Sequence, residues 1–143
     1  MSLPTTIVVG TDFSEQAEKA TEYALELAQQ FKARLHLVYS WQMPVPVASE
    51  AVLYTGEVIN QIEDDAEKAM EANLKRYRAR WADVDGSVEC GDPRDLVVKL
   101  AAEKKAGLIV VGTHGRHGLR RALLGSVAES VVRSAPCPVL VVR

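Results

Sequence analysis

The sequence has little cysteine, no long apolar run and almost no net charge. Its 2 cysteines, Cys90 and Cys137, are too few and too far apart for a disulfide framework or a zinc motif. No apolar run approaches membrane-spanning length, and the amino terminus lacks the charged and apolar segments of a signal peptide. The net charge of −2 gives no overall attraction to nucleic acid or to an anionic membrane. We therefore expect a cytoplasmic protein with neither a nucleic-acid nor a membrane partner.

The composition also excludes disorder and fibrous repeats. Hydrophobic residues make up 48% of the chain and charged residues 25%, both typical of globular proteins. A length of 143 residues suits one domain with its own core. We expect a single domain over residues 1–143.

Short runs rich in valine, isoleucine and leucine recur along the chain and predict five strands. These strands are expected at Ile7–Gly10, Leu35–Tyr39, Ser87–Cys90, Leu108–Val111 and Val139–Val142. Because most of the runs are nearly continuous rather than alternating with polar residues, they indicate a parallel sheet buried on both faces.

Segments with helical spacing separate the strands. The predicted helices cover Ser14–Ala33, about Val58–Trp81, a segment beginning at Asp92-Pro93 and Ser126 to about Ser134. Gly107 is expected to follow the third helix as its C′ residue, and Ser126 with Glu129 to form a capping box on the fourth. The proline-containing segment Trp41–Tyr54 reads as a loop. Alternating strands and helices indicate an α/β fold with helices on both faces of the sheet.

The segment from Gly112 to Ser126 is the most informative part of the sequence. It leaves a buried strand and enters a helix, where ligands of open α/β sheets bind. Its glycines let backbone N–H groups approach an anion, and the helix amino terminus adds further donors. Arg116, Arg120 and Arg121 supply positive charge, and no acid lies between them. The segment predicts a polyphosphate site.

Two common phosphate motifs do not fit this segment. No Gly-Lys-Ser/Thr occurs in the chain, which excludes a Walker A loop. The dinucleotide fingerprint follows the first strand, whereas here the first strand is followed by Thr11-Asp12 and the glycine-rich segment follows the fourth.

The glycine spacing resembles that of the ATP-binding universal stress proteins, which carry Gly-x2-Gly-x9-Gly-Ser/Thr. Here Gly112, Gly115 and, after nine residues, Gly125-Ser126 match the whole motif. The resemblance extends over essentially the entire chain through Asp12, Gly91-Asp92-Pro93 and Pro136–Val142. It implies a Rossmann-like, adenine nucleotide alpha hydrolase-like sheet of strand order 3-2-1-4-5, in which Asp12 and the glycine-rich segment flank one crevice.

The resemblance also implies a cofactor and a set of site residues. The cofactor would be ATP, with Mg²⁺ or Mn²⁺ bound alongside the nucleotide and Asp12 near the ribose or that metal. Val38 would contact the adenine edge through its backbone, and Arg116 is chosen as a phosphate contact on charge alone. The expected binding residues are Thr11, Asp12, Val38, Gly112, Gly115, Arg116, Gly125, Ser126 and Val127.

Several features argue for a binding protein rather than an enzyme. The segment Gly112–Ser126 contains no lysine and no identifiable general base, so any ATP hydrolysis should be slow. Two alternatives remain open: a nucleotide-independent dimerisation scaffold of the same fold, and a weak nucleotide-cleaving enzyme. A phosphoacceptor receiver domain is rejected because strand five ends at Arg143 instead of a lysine.

The last strand, Val139–Val142, carries a second prediction. An apolar strand at a sheet edge invites pairing with another chain, and the resemblance implies antiparallel pairing with its twin in a homodimer. The leading interpretation is thus an ATP-binding, dimeric stress-response or regulatory protein.

The histidines and cysteines are given structural rather than catalytic roles. His114 and His117 are expected to be exposed loop residues, and His36 to be a strand histidine whose hydrogen bonds are satisfied. Both cysteines are expected to behave as small buried hydrophobes.

Overall fold

The computed structural model describes residues 2–43, 56–113 and 124–143. Strands and helices alternate along the chain: β1 (Thr6–Gly10), α1 (Glu15–Phe31), β2 (Arg34–Trp41), α2 (Gly56–Arg78), β3 (Val84–Cys90), α3 (Pro93–Glu103), β4 (Leu108–Gly112), α4 (Ser126–Ser134) and β5 (Val139–Val142). The strands form one parallel sheet of order β3-β2-β1-β4-β5. This confirms the predicted fold class and strand order.

Two apolar layers cover the sheet. On one face, α1 and α2 pack over alternate strand residues such as Val9, Leu37 and Val110. On the other face, α3 and α4 pack over Val8, Val38 and Ile109 among others. The central strands β1 and β4 therefore have no solvated face, which explains why their sequences do not alternate between apolar and polar residues.

The first helix begins and ends at local signals. The hydroxyl of Ser14 accepts the N–H of Ala17 at 3.2 Å, which makes Ser14 the N-cap. Lys32 adopts the left-handed conformation and ends the helix. Ala20, Ala24 and Ala28 lie on its buried face, so the predicted helical spacing is correct and the helix runs slightly shorter than expected.

Several predicted boundaries were wrong around the outer strands. Trp41, assigned to a loop, is the last residue of β2. Strand β3 begins at Val84, three residues earlier than Ser87, because its polar and glycine residues pair with β2 in spite of their low strand propensity. Helix α2 ends at Arg78 instead of Trp81.

Two predicted helix caps were also wrong. The left-handed residue after α3 is Lys105, and Gly107 instead donates its N–H to the Thr6 carbonyl at 2.9 Å. Helix α4 has Gly125 as its N-cap with no side-chain capping bond, so Ser126 is the first helical residue and the capping box does not form.

The cysteines differ in burial, which corrects one expectation. Cys90 is exposed because it ends the edge strand β3. Cys137 is half-buried against the layer beneath α3 and α4, and burial raises the pKa of its thiol. Within residues 2–43, 56–113 and 124–143, no helix is both long and apolar enough to cross a membrane.

Candidate functional site

The turn after β1 is held in a tight conformation. Phe13 has a φ of 61°, a left-handed conformation that costs a non-glycine residue about 1–3 kcal/mol. The Thr11 hydroxyl accepts the Phe13 N–H at 3.0 Å, and the Asp12 carboxylate accepts the Ser14 N–H at 2.9 Å. The Phe13 ring packs on Tyr39 with centroids 4.6 Å apart. These contacts fix Thr11 and Asp12 at the carboxyl end of the sheet.

A cavity of about 130 Å³ opens at this end of the sheet. Its walls come from β1 and the turn after it, from β2 and β4, and from the amino-terminal parts of α1, α3 and α4. The lining residues are Gly10, Thr11, Asp12, Ala17, Val38, Ser40, Pro93, Val97, Val111, Gly112 and Val127. We call this cavity the strand-end cleft. It combines an apolar floor with a few polar groups, as small-molecule sites do.

The amino terminus of α4 lies beside the strand-end cleft. Gly125 donates its N–H to the Thr113 carbonyl at 2.6 Å, which anchors the helix start to the end of β4. The first intrahelical bond runs from the Glu129 N–H to the Gly125 carbonyl, so the amides before Glu129 have no partner within the helix. With no side-chain cap at Gly125, these donors and the helix dipole favour an anion.

The structure brings most of the predicted site residues to the strand-end cleft. Five of them line it directly: Thr11, Asp12, Val38, Gly112 and Val127. Gly125 and Ser126 lie next to Val127 at the start of α4. The predicted contacts Gly115 and Arg116, together with His114, His117, Arg120 and Arg121, lie outside the described residues.

The backbone of Val38 is already engaged in the sheet. Its carbonyl accepts the Thr11 N–H at 2.9 Å, and it pairs with Gly10, the last residue of β1. Because alternate residues of a strand turn their backbone groups to the same neighbour, Ser40 is the next residue of β2 that faces the β1 side. It lies beyond the paired part of β1, so its N–H and carbonyl point toward the space where a ligand would lie.

Ser40 is a cleft residue that sequence reasoning did not identify. It lines the strand-end cleft, and its buried Oγ has no hydrogen-bond partner among the described residues. A buried polar atom without a partner is uncommon and calls for an explanation, such as a ligand. The available signal was the spacing Val38-x-Ser40, which places both side chains on one face of a strand.

The acid that lines the described part of the strand-end cleft is Asp12. Among residues 2–43, 56–113 and 124–143, no three His, Cys, Asp or Glu side chains cluster closely enough to hold a metal ion. A divalent cation at this cleft would therefore need ligands in addition to Asp12, such as the phosphates of a nucleotide.

Comparison with known proteins agrees with this architecture. The model of the universal stress protein family matches residues 4–143. Universal stress protein MJ0531 of Methanocaldococcus jannaschii is 34% identical over 139 residues, which cover 96% of this chain and 81% of the relative.

Two solved structures are similar over nearly their full length. A universal stress protein in complex with cAMP is 30% identical with a TM-score of 0.71, covering 99% of both chains. The universal stress protein from Archaeoglobus fulgidus in complex with dAMP is 25% identical with a TM-score of 0.69, covering 99% of this chain and 100% of that one. With the family model spanning the whole sheet and its helices, the chain belongs to the universal stress protein family.

Proposed function

We propose that this protein binds an adenine nucleotide, ATP with Mg²⁺ or Mn²⁺ in the first instance, in the strand-end cleft. One observation carries the proposal: Thr11, Asp12, Gly112 and Val127, which come from three separate parts of the sequence, line a single cavity beside the uncapped start of α4. We further propose that the bound nucleotide changes the affinity of the protein for its partners, and that the protein acts in this way as a regulatory module in a stress response.

The arrangement of the strand ends supports one orientation of the nucleotide in this proposal. The phosphates belong at the start of α4, where backbone donors face the cleft. The base belongs at the other end, near Ser40 of β2. Neighbouring strands lie about 4.8 Å apart, so β4 and β2, with β1 between them, are separated by about 10 Å. That span accommodates a nucleoside and its first phosphate along the strand ends.

The relatives support the choice of an adenine nucleotide. Two structures similar to this chain are complexes with cAMP and with dAMP, which share the adenine base but differ in sugar and phosphate. For this chain we propose that the Ser40 backbone, beyond the end of β1, contacts the base edge next to Val38. Asp12 would hold a ribose hydroxyl or the metal that accompanies the phosphates.

Hydrolysis of the bound nucleotide should be slow. Efficient phosphoryl transfer requires positioned metal ligands, a phosphate-binding cation and a residue that orients the nucleophile. The described lining of the strand-end cleft supplies Asp12 as its acid and no lysine. We therefore propose that the strand-end cleft binds the nucleotide and does not catalyse its rapid hydrolysis.

Isothermal titration calorimetry with ATP and Mg²⁺ tests the proposal. Gly112→Val places a branched side chain at the cleft wall and should abolish binding. Gly56→Val is the matched control, because nothing lies within 4 Å of a Cβ at Gly56. Gly115→Val, chosen from the glycine motif, should behave like Gly112→Val. Circular dichroism should show an intact fold for each variant, and an absence of binding by the unaltered protein at millimolar nucleotide would refute the proposal.

We also propose a homodimer formed by strand β5 (Val139–Val142), which lies at one edge of the sheet. The carbonyl of Val142 accepts the Thr113 N–H, and that of Pro138 accepts the Ile109 N–H, so these residues face β4. By alternation, Val141 turns its N–H outward. Val141→Pro removes that donor and should weaken the dimer in sedimentation velocity, whereas Val141→Ala keeps it. A monomer at all concentrations, or equal dimerisation of both variants, would contradict this interface.

A further inference from the structure

Three polar side chains on β2 and β3, none of them among the residues that line the strand-end cleft, form a hydrogen-bonded chain. His36 pairs in register with Asp85, and Ser87 lies two residues further along β3. The Asp85 carboxylate contacts His36 Nδ1, and His36 Nε2 lies 2.7 Å from Ser87 Oγ. Asp85, His36 and Ser87 thus have the connectivity of an orienting acid, a base and a nucleophile. We call these residues the edge triad.

The Asp85 carboxylate determines where the protons lie. An ionised carboxylate can only accept hydrogen bonds, so His36 Nδ1 carries the hydrogen of that contact. In the neutral imidazole, Nε2 is then an acceptor, and Ser87 must donate its hydroxyl hydrogen to it. The proton that a base would remove from Ser87 therefore already points at His36.

His36 is kept in the neutral form that a base requires. Its exposed fraction is only 2%, and this burial lowers the pKa of the imidazole. Asp85 opposes the change and raises the pKa, while the positive charges of Lys104 and Arg34 lower it further. Burial is the largest of these influences, so at neutral pH the Nε2 lone pair is available.

The edge position of β3 supplies backbone donors next to Ser87. The Leu35 N–H donates to the Asp83 carbonyl, and the Gly91 N–H donates to the Trp41 carbonyl. Residues 83 and 91 therefore face β2, and by alternation so does Ser87. The N–H groups of Gly86 and Val88, which flank Ser87, turn toward the open edge. In many hydrolases the residue after the nucleophile donates its N–H to the oxyanion, the position that Val88 has here.

We propose that Ser87 is an activated nucleophile that accepts acyl groups from small activated esters at the β3 edge. Ser87 Oγ forms a bond to the carbonyl carbon as its proton moves to His36 Nε2. The bond from that carbon to the leaving oxygen then breaks, and the leaving alkoxide takes the proton from Nε2. The products are acyl-Ser87 and a free alcohol, and water attacking by the same route regenerates the serine. Asp85, with a side chain 44% exposed, keeps the imidazole oriented throughout.

If the edge triad only supplies hydrogen bonds to a buried histidine, Ser87 should not react with an activated ester. We use p-nitrophenyl acetate as the probe that distinguishes this structural role from a nucleophilic one. Nucleophilic Ser87 should release about one equivalent of p-nitrophenol in a burst, and mass spectrometry of the unaltered protein should locate an acetyl group on Ser87. Ser87→Ala should lose the burst. Ser134→Ala is the matched control, because it removes an exposed serine at the end of α4 and should keep it.

The base and the orienting acid have tests of their own. Asp85→Asn can donate to Nδ1 and so favours the wrong tautomer, and acylation should slow by about 10²-fold, the lower end of general-base contributions. The acylation rate of the unaltered protein should reach half of its plateau value below pH 6.5, the ordinary pKa of histidine, because burial lowers the pKa of His36. Acetylation absent from Ser87, or equally fast in Ser87→Ala, would overturn the proposal. So would a rate in Asp85→Asn equal to that of the unaltered protein.

Discussion

The sheet differs between its centre and one side: the central strands β1 and β4 carry buried apolar side chains, whereas the outer pair β2–β3 also carries polar ones. In β1 and β4, Val8, Val9, Ile109 and Val110 are each 0% exposed, and both faces of the sheet are apolar. In β3, every residue after Val84 is half-buried or exposed, and the face shared with β2 carries the edge triad. The centre of the sheet thus provides stability and the floor of the strand-end cleft, whereas its outer pair has room for polar chemistry.

The difference follows from what covers each strand. Helices pack over both faces of β1 and β4, so a polar side chain there would lose its water without gaining a partner. At β3, α2 covers one face, and Asp85 and Ser87 on the other face each form a hydrogen bond with His36. Polar groups are tolerated there because the strand edge remains near water.

The largest effect should come from matched truncations in the two regions. Val110→Ala removes two methyl groups from a fully buried site and should lower the free energy of unfolding by about 2–4 kcal/mol. Val88 of β3 lies on the same face of the sheet as Val110 but is only partly buried, so Val88→Ala should lower the free energy of unfolding by at most about 1 kcal/mol. Urea unfolding measures both values. Equal losses would mean that the outer pair contributes to stability as the centre does.

A smaller effect is expected at Gly86 of β3. A Cβ there would lie 2.7 Å from Met70 Sδ and 3.3 Å from the Leu37 carbonyl, so Gly86→Ala should destabilise by about 1–3 kcal/mol. In a Met70→Ala background the cost should shrink, which a double-mutant cycle of unfolding free energies would show. Gly56→Ala, where the space is open, serves as the control. Additive effects of the Gly86 and Met70 changes would contradict this packing.

The pH dependence of stability separates the two regions further. The pKa of His36 is lowered in the folded protein, chiefly by burial, so the unfolded state binds a proton more readily. The contribution of neutral, buried His36 to the free energy of unfolding is therefore fully present above about pH 6.5 and is lost as the pH falls through the folded-state pKa. As the pH falls below about 6.5, the urea midpoint of the unaltered protein should decrease, and that of His36→Gln should decrease less. If the two plots of urea midpoint against pH were parallel, the pKa of His36 would be the same in the folded and unfolded states.

The smallest effect is predicted for the ion pair at the start of β2 and β3. Arg34 and Asp83 are 3.0 Å apart, with side chains 56% and 52% exposed. Exposed pairs of this kind contribute little because water and salt screen them. Asp83→Asn should leave the thermal midpoint of unfolding unchanged, in contrast to Val110→Ala. A clear drop would indicate that the polar residues of the outer pair stabilise the sheet directly.

Much of the fold could be predicted from local patterns. The valine and isoleucine runs located β1, β4 and β5, and Asp92-Pro93 correctly marked the start of α3. Errors arose where tertiary contacts override propensity. Gly86 and its polar neighbours form a strand because β2 pairs with them, and the N-cap of α4 is a glycine although a serine follows it.

In the candidate site, too, the residues marked by local sequence were predicted and those that depend on tertiary contacts were missed. Asp12 and Gly112 were recognised because each follows a buried strand, a position that the sequence displays. Ser40 was missed because its sequence neighbours give no sign that its hydroxyl is buried without a partner beside a cavity. The edge triad was missed because His36 lies 49 and 51 residues away from the two side chains that it bonds.

The sequence by itself determined the alternation of strands and helices, the glycine spacing after β4 and the likeness to universal stress proteins, because these depend on residues close together in the chain. Only the tertiary structure decided which backbone groups of β2 lie beyond the end of β1, and which side chains of β2 and β3 meet. Those contacts depend on the register between strands that a whole helix separates. A shift of one residue in that register would turn Ser87 away from His36.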